Sequence, residues 1–194
     1  DSGAWIEAWS AVKPPSVEQR AALQAFRDSS DYLREEWSND PTGIQDKNAV
    51  TIEDGQVTGL DLSGCVGLTA LPDLSSLVAL TTLNLSYCSG LRALSDVSSL
   101  VALTTLDLSS CQGLTALPDL SSLVALTRLY LNFCQGLTAL PDLCSLVDLT
   151  ELNLSGCQGL TALPDVGSLV ALRTLDLSVC RSLAALSDVS SLVA

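Results

Sequence analysis

The 194-residue chain has no histidine and no methionine, only two phenylalanines, three tyrosines and three tryptophans, and 9 basic residues against 22 acidic ones. Each shortage excludes something. Without His there can be no Ser-His-Asp or Cys-His pair and no imidazole metal ligand. No G-x-x-x-x-G-K phosphate loop is present either. The acidic residues form evenly spaced columns rather than the close pair in a cleft that glycoside hydrolysis requires. These residues are therefore expected to carry no catalytic group, cofactor or metal. A net charge of −13 repels phosphate backbones, so nucleic acid is not the expected partner, and an anionic membrane surface is disfavoured for the same reason. No apolar run approaches the roughly 20 residues that cross a bilayer. The lack of Met implies that the native start lies upstream of Asp1, together with any targeting segment, so this end does not reveal the compartment.

With 47% hydrophobic but only 4% aromatic residues, the core must be built from Leu, Val and Ala, in a chain long enough for one domain. Its order comes from the cysteines. Cys65, Cys88, Cys111, Cys134, Cys157 and Cys180 recur every 23 residues. Around each lies the frame L-x-x-L-x-L-x-x-C-x-x-L-x-x-L-x-D-[LV]-x-x-L-x-x, with Val57 in place of the first Leu of the first copy. Six copies follow: 57–79, 80–102, 103–125, 126–148, 149–171 and 172–194. In Thr82-Leu83-Asn84-Leu85-Ser86 the period of two sends the leucines inward and the polar residues outward, which predicts one short strand per copy. Strands stacked in parallel at about 4.8 Å, with wider return segments behind them, predict a solenoid bent with its strands on the concave side. In Leu117-Pro118-Asp119-Leu120, Pro118 stops a strand and Asp119 can cap a turn, so short 3₁₀ turns are expected on the convex side.

Residues 1–56 fall outside the period and read as an N-terminal helical cap. Trp5 and Trp9 share a helix face, Pro14-Pro15 breaks that helix, and Ser16-Val17-Glu18-Gln19 forms a capping box. It opens a second helix through Leu23, Phe26, Leu33 and Trp37. Ala49–Ile52, the Asp54-Gly55 turn and Val57–Leu60 predict a hairpin leading into the first repeat strand. No matching cap closes the other end. The native chain is therefore expected to continue past Ala194, and self-association through that edge stays open.

The repeat frame resembles the leucine-rich-repeat superfamily over residues 57–194, implying an α/β repeat solenoid of horseshoe form, close to the shorter-repeat, internalin-like classes. The cap segment Trp5-Ile6-Glu7-Ala8-Trp9-Ser10, with Pro14-Pro15, Glu18 and Arg20-Ala21-Ala22, resembles the W-x-x-W…P…E-x-R-A-A segment of type III secreted bacterial leucine-rich-repeat effectors. Many of those are ubiquitin ligases whose repeats select host proteins while a separate domain carries the catalytic Cys in a C-x-D motif. No C-x-D occurs here. The resemblance implies a secreted effector acting in host cytosol.

Among candidate sites, the cysteine column occupies the place where such repeats put Asn, and it reads as a structural ladder. Six thiols in a row about 5 Å apart cannot enclose a metal tetrahedrally, and neighbouring rows rarely meet disulfide geometry. Seven reduced cysteines suit a reducing compartment. Cys144 stands outside the column, with no His to activate it. The column Asp73, Asp96, Asp119, Asp142, Asp165 and Asp188 could cap turns or, less simply, line a calcium ladder. Lysine is confined to Lys13 and Lys47. The fourth copy breaks the pattern at four outward positions at once: against the typical Thr105, Asp107, Ser109 and Ser110 of the third copy it carries Arg128, Tyr130, Asn132 and Phe133. Arg and Tyr dominate interface hot spots, and an exposed Phe beside them can fill a partner's pocket. Tyr87 shares the row of Phe133 two repeats earlier, about 10 Å away by strand stacking, and Glu151 and Arg173 flank the patch. The alternative is that Tyr87 and Phe133 fold over the rim to cover the core. The expectation is a protein-recognition module binding its partner on the concave face. The rivals are a structural or surface-display spacer and the non-catalytic repeat domain of a longer ubiquitin ligase.

Overall fold

The computed structural model describes residues 13–29 and 49–184; Trp5, Trp9, Leu33, Trp37, Asp188 and the end of the sixth repeat lie outside them. Among the described residues one helix, α1 (Val17–Asp28), precedes a seven-stranded sheet. Its strands are β1 (Val50–Glu53), β2 (Gln56–Asp61), β3 (Thr82–Asn84), β4 (Thr105–Asp107), β5 (Arg128–Tyr130), β6 (Glu151–Asn153) and β7 (Thr174–Asp176), and they neighbour one another in sequence order. β1 and β2 form the expected antiparallel hairpin, with Asp54 and Gly55 both at positive φ, 50° and 77°, as the tight turn between right-twisted strands demands. From β2 onward every pairing is parallel with a register of 23 residues, so Leu60, Leu83, Leu106, Leu129, Leu152 and Leu175 stand in one row.

The leucine rows are the core. Leu80, Leu83, Leu85, Leu91 and Leu100 of one copy are fully buried, and so are their counterparts in the next two. Behind the strands the chain returns through single i→i+3 turns rather than continuous 3₁₀ helices. The N–H of Leu77 donates to the Leu74 carbonyl, and that of Leu80 to the Leu77 carbonyl. The same pair recurs at Leu100 and Leu103, and again at Leu123 and Leu126. The aspartate column caps these turns as expected. Asp73, Asp96, Asp119, Asp142 and Asp165 each accept the backbone N–H two residues ahead, at 2.8–2.9 Å. That bond holds the Asp73, Asp96 and Asp142 carboxyls below their ordinary range.

The cysteine column is a ladder of thiols bonded to backbone. Cys88, Cys111, Cys134, Cys157 and Cys180 donate to the carbonyls of Leu62, Leu85, Leu108, Leu131 and Leu154 in the preceding copy, at 3.0–3.2 Å. Each carbonyl already accepts the N–H of its own copy's cysteine, at 3.1–3.3 Å, so what remains is a second lone pair beside a position that must stay small and apolar. A small apolar residue with one weak donor meets both demands. Burial pushes the Cys111 thiol up to about 12 and Cys157 to about 11. Two positions on is a column of glycines. A Cβ on Gly90 would lie 2.4 Å from the Val66 carbonyl oxygen, so any side chain there would push successive repeats apart.

The cap departs from its expected detail in one place. Ser16 Oγ accepts from the Gln19 N–H at 3.2 Å, but the Gln19 amide does not return to Ser16. It is buried, and its Nε2 donates to Gln56 Oε1 at 2.9 Å and to the Ser76 carbonyl at 3.3 Å. Half of the capping box has become a clamp between α1, β2 and the first return turn. Leu23 and Phe26 complete the seal over the first repeat. The helix ends at Asp28, where Ser29 caps the Phe26 carbonyl through both N–H and Oγ. No helix among the described residues is long and apolar enough to cross a membrane.

Two outcomes follow. Gly90→Ala should lower stability by about 2–3 kcal/mol in urea, as overpacking against backbone does. Gly64→Ala, where nothing lies within 4 Å and only φ 75° is strained, should cost about 1 kcal/mol. The second outcome concerns pH. Unfolded thiols ionise at about 8.5 while Cys111 and Cys157 keep their protons in the fold, so the unfolded state binds fewer protons above that pH and stability must fall, by up to about 1.4 kcal/mol per pH unit for each such thiol. Urea midpoints measured from pH 8 to 10.5 should decline, and less steeply in Cys111→Ala. Parallel slopes would mean that Cys111 ionises equally in both states.

Candidate functional site

Five of the six parallel strands end in the same device. Asp61, Asn84, Asp107, Asn153 and Asp176 stand on the exposed strand face and accept the N–H of Ser63, Ser86, Ser109, Ser155 and Ser178, at 2.8–3.0 Å. The side chain thereby closes the turn that carries the chain off the sheet. β5 ends differently. Tyr130 takes the Asp/Asn place, and its side chain cannot accept that bond. Among the described residues the Asn132 N–H has no hydrogen-bond partner.

Tyr130 is directed along the sheet to the next repeat. Its hydroxyl donates to Glu151 Oε2 at 2.8 Å, and Arg128 Nε lies 4.0 Å from the same oxygen. The register pairs Arg128 with Glu151 and Tyr130 with Asn153, so the three side chains converge across β5 and β6. Partial burial, then the neighbouring Glu151 carboxylate, push the Tyr130 phenol above its ordinary range. Asn132 Oδ1 accepts from Ser109 Oγ at 2.7 Å, which ties the turn after β5 to the one before it.

Phe133 and Tyr87 lie on a second column. The residue before each cysteine adopts positive φ, 60–75° at Gly64, Tyr87, Ser110, Phe133, Gly156 and Val179. Outside glycine this region costs about 1–2 kcal/mol per residue. Tyr87 stays 64% exposed and Phe133 49%, so neither ring is folded over the core. Phe133 instead lies against the next turn, its Cδ1 only 2.6 Å from where a Gly156 Cβ would stand. Glycine at 156 makes room for the ring.

The structure thus joins Arg128, Tyr130 and Glu151 directly and places Asn132 and Phe133 on the turn that follows. Tyr87 sits on the same rim two repeats away. Arg173 is not part of the cluster. It occupies the turn before β7, beside Thr150, exposed and with no ion pair among the described residues. Cys144 is exposed on the opposite side, where its thiol donates to Asp142 Oδ2 at 3.2 Å. That bond holds it above the ordinary thiol range, which makes it a poor nucleophile.

A feature that the repeat pattern does not announce lies where the hairpin meets the first repeats. A hollow of about 380 Å³ opens on the strand face between β1, β2 and β3, lined by Glu53, Asp61, Asn84 and the hydroxyls of Thr51, Thr81 and Thr82. Gly59 lets β1 cross closely here, since a Cβ on it would lie 2.9 Å from Thr51 Oγ1. That glycine, in a column otherwise Thr, Arg or Glu, was the signal available in the sequence.

No family model and no curated protein matches the chain. Among solved structures it is similar to YopM from Yersinia enterocolitica WA-314, at 24% identity and a TM-score of 0.56, covering 97% of this chain and 34% of that one. It is also similar to the leucine-rich-repeat domain of the type III effector XopL, at 28% identity and a TM-score of 0.44, over 59% of this chain and 50% of that one. A third is a leucine-rich-repeat protein of Leptospira interrogans, at 27% identity and a TM-score of 0.39, covering 62% and 36%. The chain spans about a third to a half of the length of these proteins. The likeness to YopM is one of fold, and with the 23-residue register it makes this chain a parallel β-solenoid of the leucine-rich-repeat type.

Proposed function

We propose that the chain is a protein-recognition module that holds a partner on its strand face around β5 and β6, without catalysing a reaction on it. One observation carries this reading: the fourth repeat gives up the turn-closing bond that the other five strand ends keep. That bond is worth about 0.5–1.5 kcal/mol. In its place stand a tyrosine fixed by a carboxylate, an open backbone donor at Asn132 and a half-exposed phenylalanine in a strained backbone region. Departures from local rules of this kind concentrate at functional sites. The chemistry also suits it: pre-positioned Tyr and Arg lose little entropy on binding, and Phe133 offers apolar area to a partner's pocket.

We place the module, on the strength of its Trp5-to-Ala22 segment, as the substrate-selecting arm of a secreted bacterial effector. Any ligase chemistry would then belong to another domain. The spacer reading lacks a reason for the fourth repeat to differ.

Replacing Tyr130 and Phe133 together by Ala should weaken partner binding by about 100-fold or more, as loss of hot-spot side chains does, while thermal unfolding shifts little. Retained affinity would overturn the placement of the site. Glu151→Gln probes the arrangement itself. A spectrophotometric titration, with Tyr130→Phe as the blank, should find Tyr130 ionising above the ordinary tyrosine range. In Glu151→Gln it should move part of the way back, leaving the contribution of burial. No change would show that the Tyr130–Glu151 bond is not made in solution.

A further inference from the structure

Strands β2 to β6 are each paired on both sides. A partner on this face therefore cannot add a strand to it and has to be recognised through side chains, the Asn132 N–H excepted. Side chains that could do so gather in two places. One is the Arg128–Tyr130–Glu151 cluster with Phe133. The other is the hollow between β1, β2 and β3, and its chemistry is more selective.

Two carboxylates enter that hollow and no basic side chain lines it. Asp61 is held from two directions, Oδ1 by the Ser63 N–H at 2.9 Å and Oδ2 by Asn84 Nδ2 at 3.1 Å, so its charge is fixed in place rather than swinging in solvent. Glu53, at the end of β1, is exposed and has no ion pair among the described residues. Threonine hydroxyls supply further acceptors. No group of three or more metal-ligating side chains occurs among the described residues. A ligand of two or more N–H donors and positive charge fits: the guanidinium of an arginine, or the ammonium of a lysine, forming charge-assisted bonds to Glu53 while Asp61, toward the other end of the hairpin, adds its field. The chain's net charge of −13 draws such a group in.

The two places are three strand spacings apart, β2 to β5, about 14 Å. An extended segment rises about 3.3 Å per residue, so four to five residues bridge them. We infer that the partner contributes an extended segment crossing the strands, with a basic residue seated on Glu53 in the hollow and an apolar or aromatic residue four to five positions away on Tyr130 and Phe133. This rests on the strand face being the protein-binding surface. Arg128 at the far end disfavours a second cation there, so the order of the two anchors is set by charge.

The test is selection of a random dodecapeptide display library on the full chain, followed by affinities of the enriched synthetic peptides for wild type, Glu53→Gln and Tyr130→Ala/Phe133→Ala. Glu53 is exposed, so Glu53→Gln should unfold at the wild-type temperature. Enriched peptides should carry Arg or Lys at the stated spacing from an apolar residue. Glu53→Gln should weaken them by at least 10-fold, and norleucine in place of the basic residue should produce the same loss on wild type but little further loss on Glu53→Gln. Peptides that need Tyr130 and Phe133 yet ignore Glu53→Gln overturn the basic anchor and leave the proposed function standing. Peptides indifferent to both variants, or no enrichment at all, overturn both.

Discussion

Each repeat leaves its inward leucines and its thiol where only the adjacent repeats can satisfy them, and everything else in the molecule follows from that dependence. Leu83 is covered by Leu60 and Leu106 in register, and Cys88 closes the Leu62 carbonyl of the turn before it. A copy one residue longer would send the whole leucine row to the outer face. A side chain at Gly90 would separate the turns whose contact makes those bonds. The inward frame is therefore intolerant of change, and variation is confined to the few outward positions on the strands and the turns leaving them.

That confinement gives the fourth repeat its meaning. The Asp/Asn position at a strand end is outward, so nothing in the core dictates it, yet five strands use it to close a turn. Tyr130 gives up that closure, and the loss is partly offset by its bond to Glu151 and by Asn132 accepting from Ser109. The positive-φ column behaves in the same way. Gly64 and Gly156 occupy it without strain, whereas Tyr87 and Phe133 hold large rings there. The core rows hold the backbone in that region whatever side chain it bears, and so can present a ring at the rim that a free chain would turn elsewhere.

Much of this was legible in the sequence because a strict period turns one-dimensional spacing into three-dimensional neighbours. The leucine rows, the thiol ladder, the aspartate caps of the return turns and the Arg128-to-Glu151 adjacency are all consequences of a 23-residue register. What stayed hidden lies where the period is broken or does not specify direction. The role of Gln19 depends on a helix packed across the first repeat, a contact between segments 37 and 57 residues apart. The direction of Tyr130 depends on a carboxylate in the next copy. Arg173 looked like a neighbour of the patch because it follows Glu151 by roughly one repeat, but it falls one place before the strand, where side chains leave the strand face. Gly59 and the hollow beside it arise from the antiparallel hairpin, the one pairing that the repeat does not generate.

The strand face carries two kinds of recognition, and they act at different stages of an encounter. Carboxylates at Asp61, Asp107, Glu151 and Asp176 attract a cationic partner from a distance, an effect on association rate that salt screens within about 8–10 Å. The Tyr130 and Phe133 rings act only at contact, where they govern how long the partner stays. Because one of those carboxylates, Glu151, also fixes Tyr130, long-range attraction and short-range shape meet in a single residue. A charge change there alters both the approach of a partner and the surface it meets, whereas Asp107 and Asp176, closing turns on neighbouring strands, contribute to the field alone.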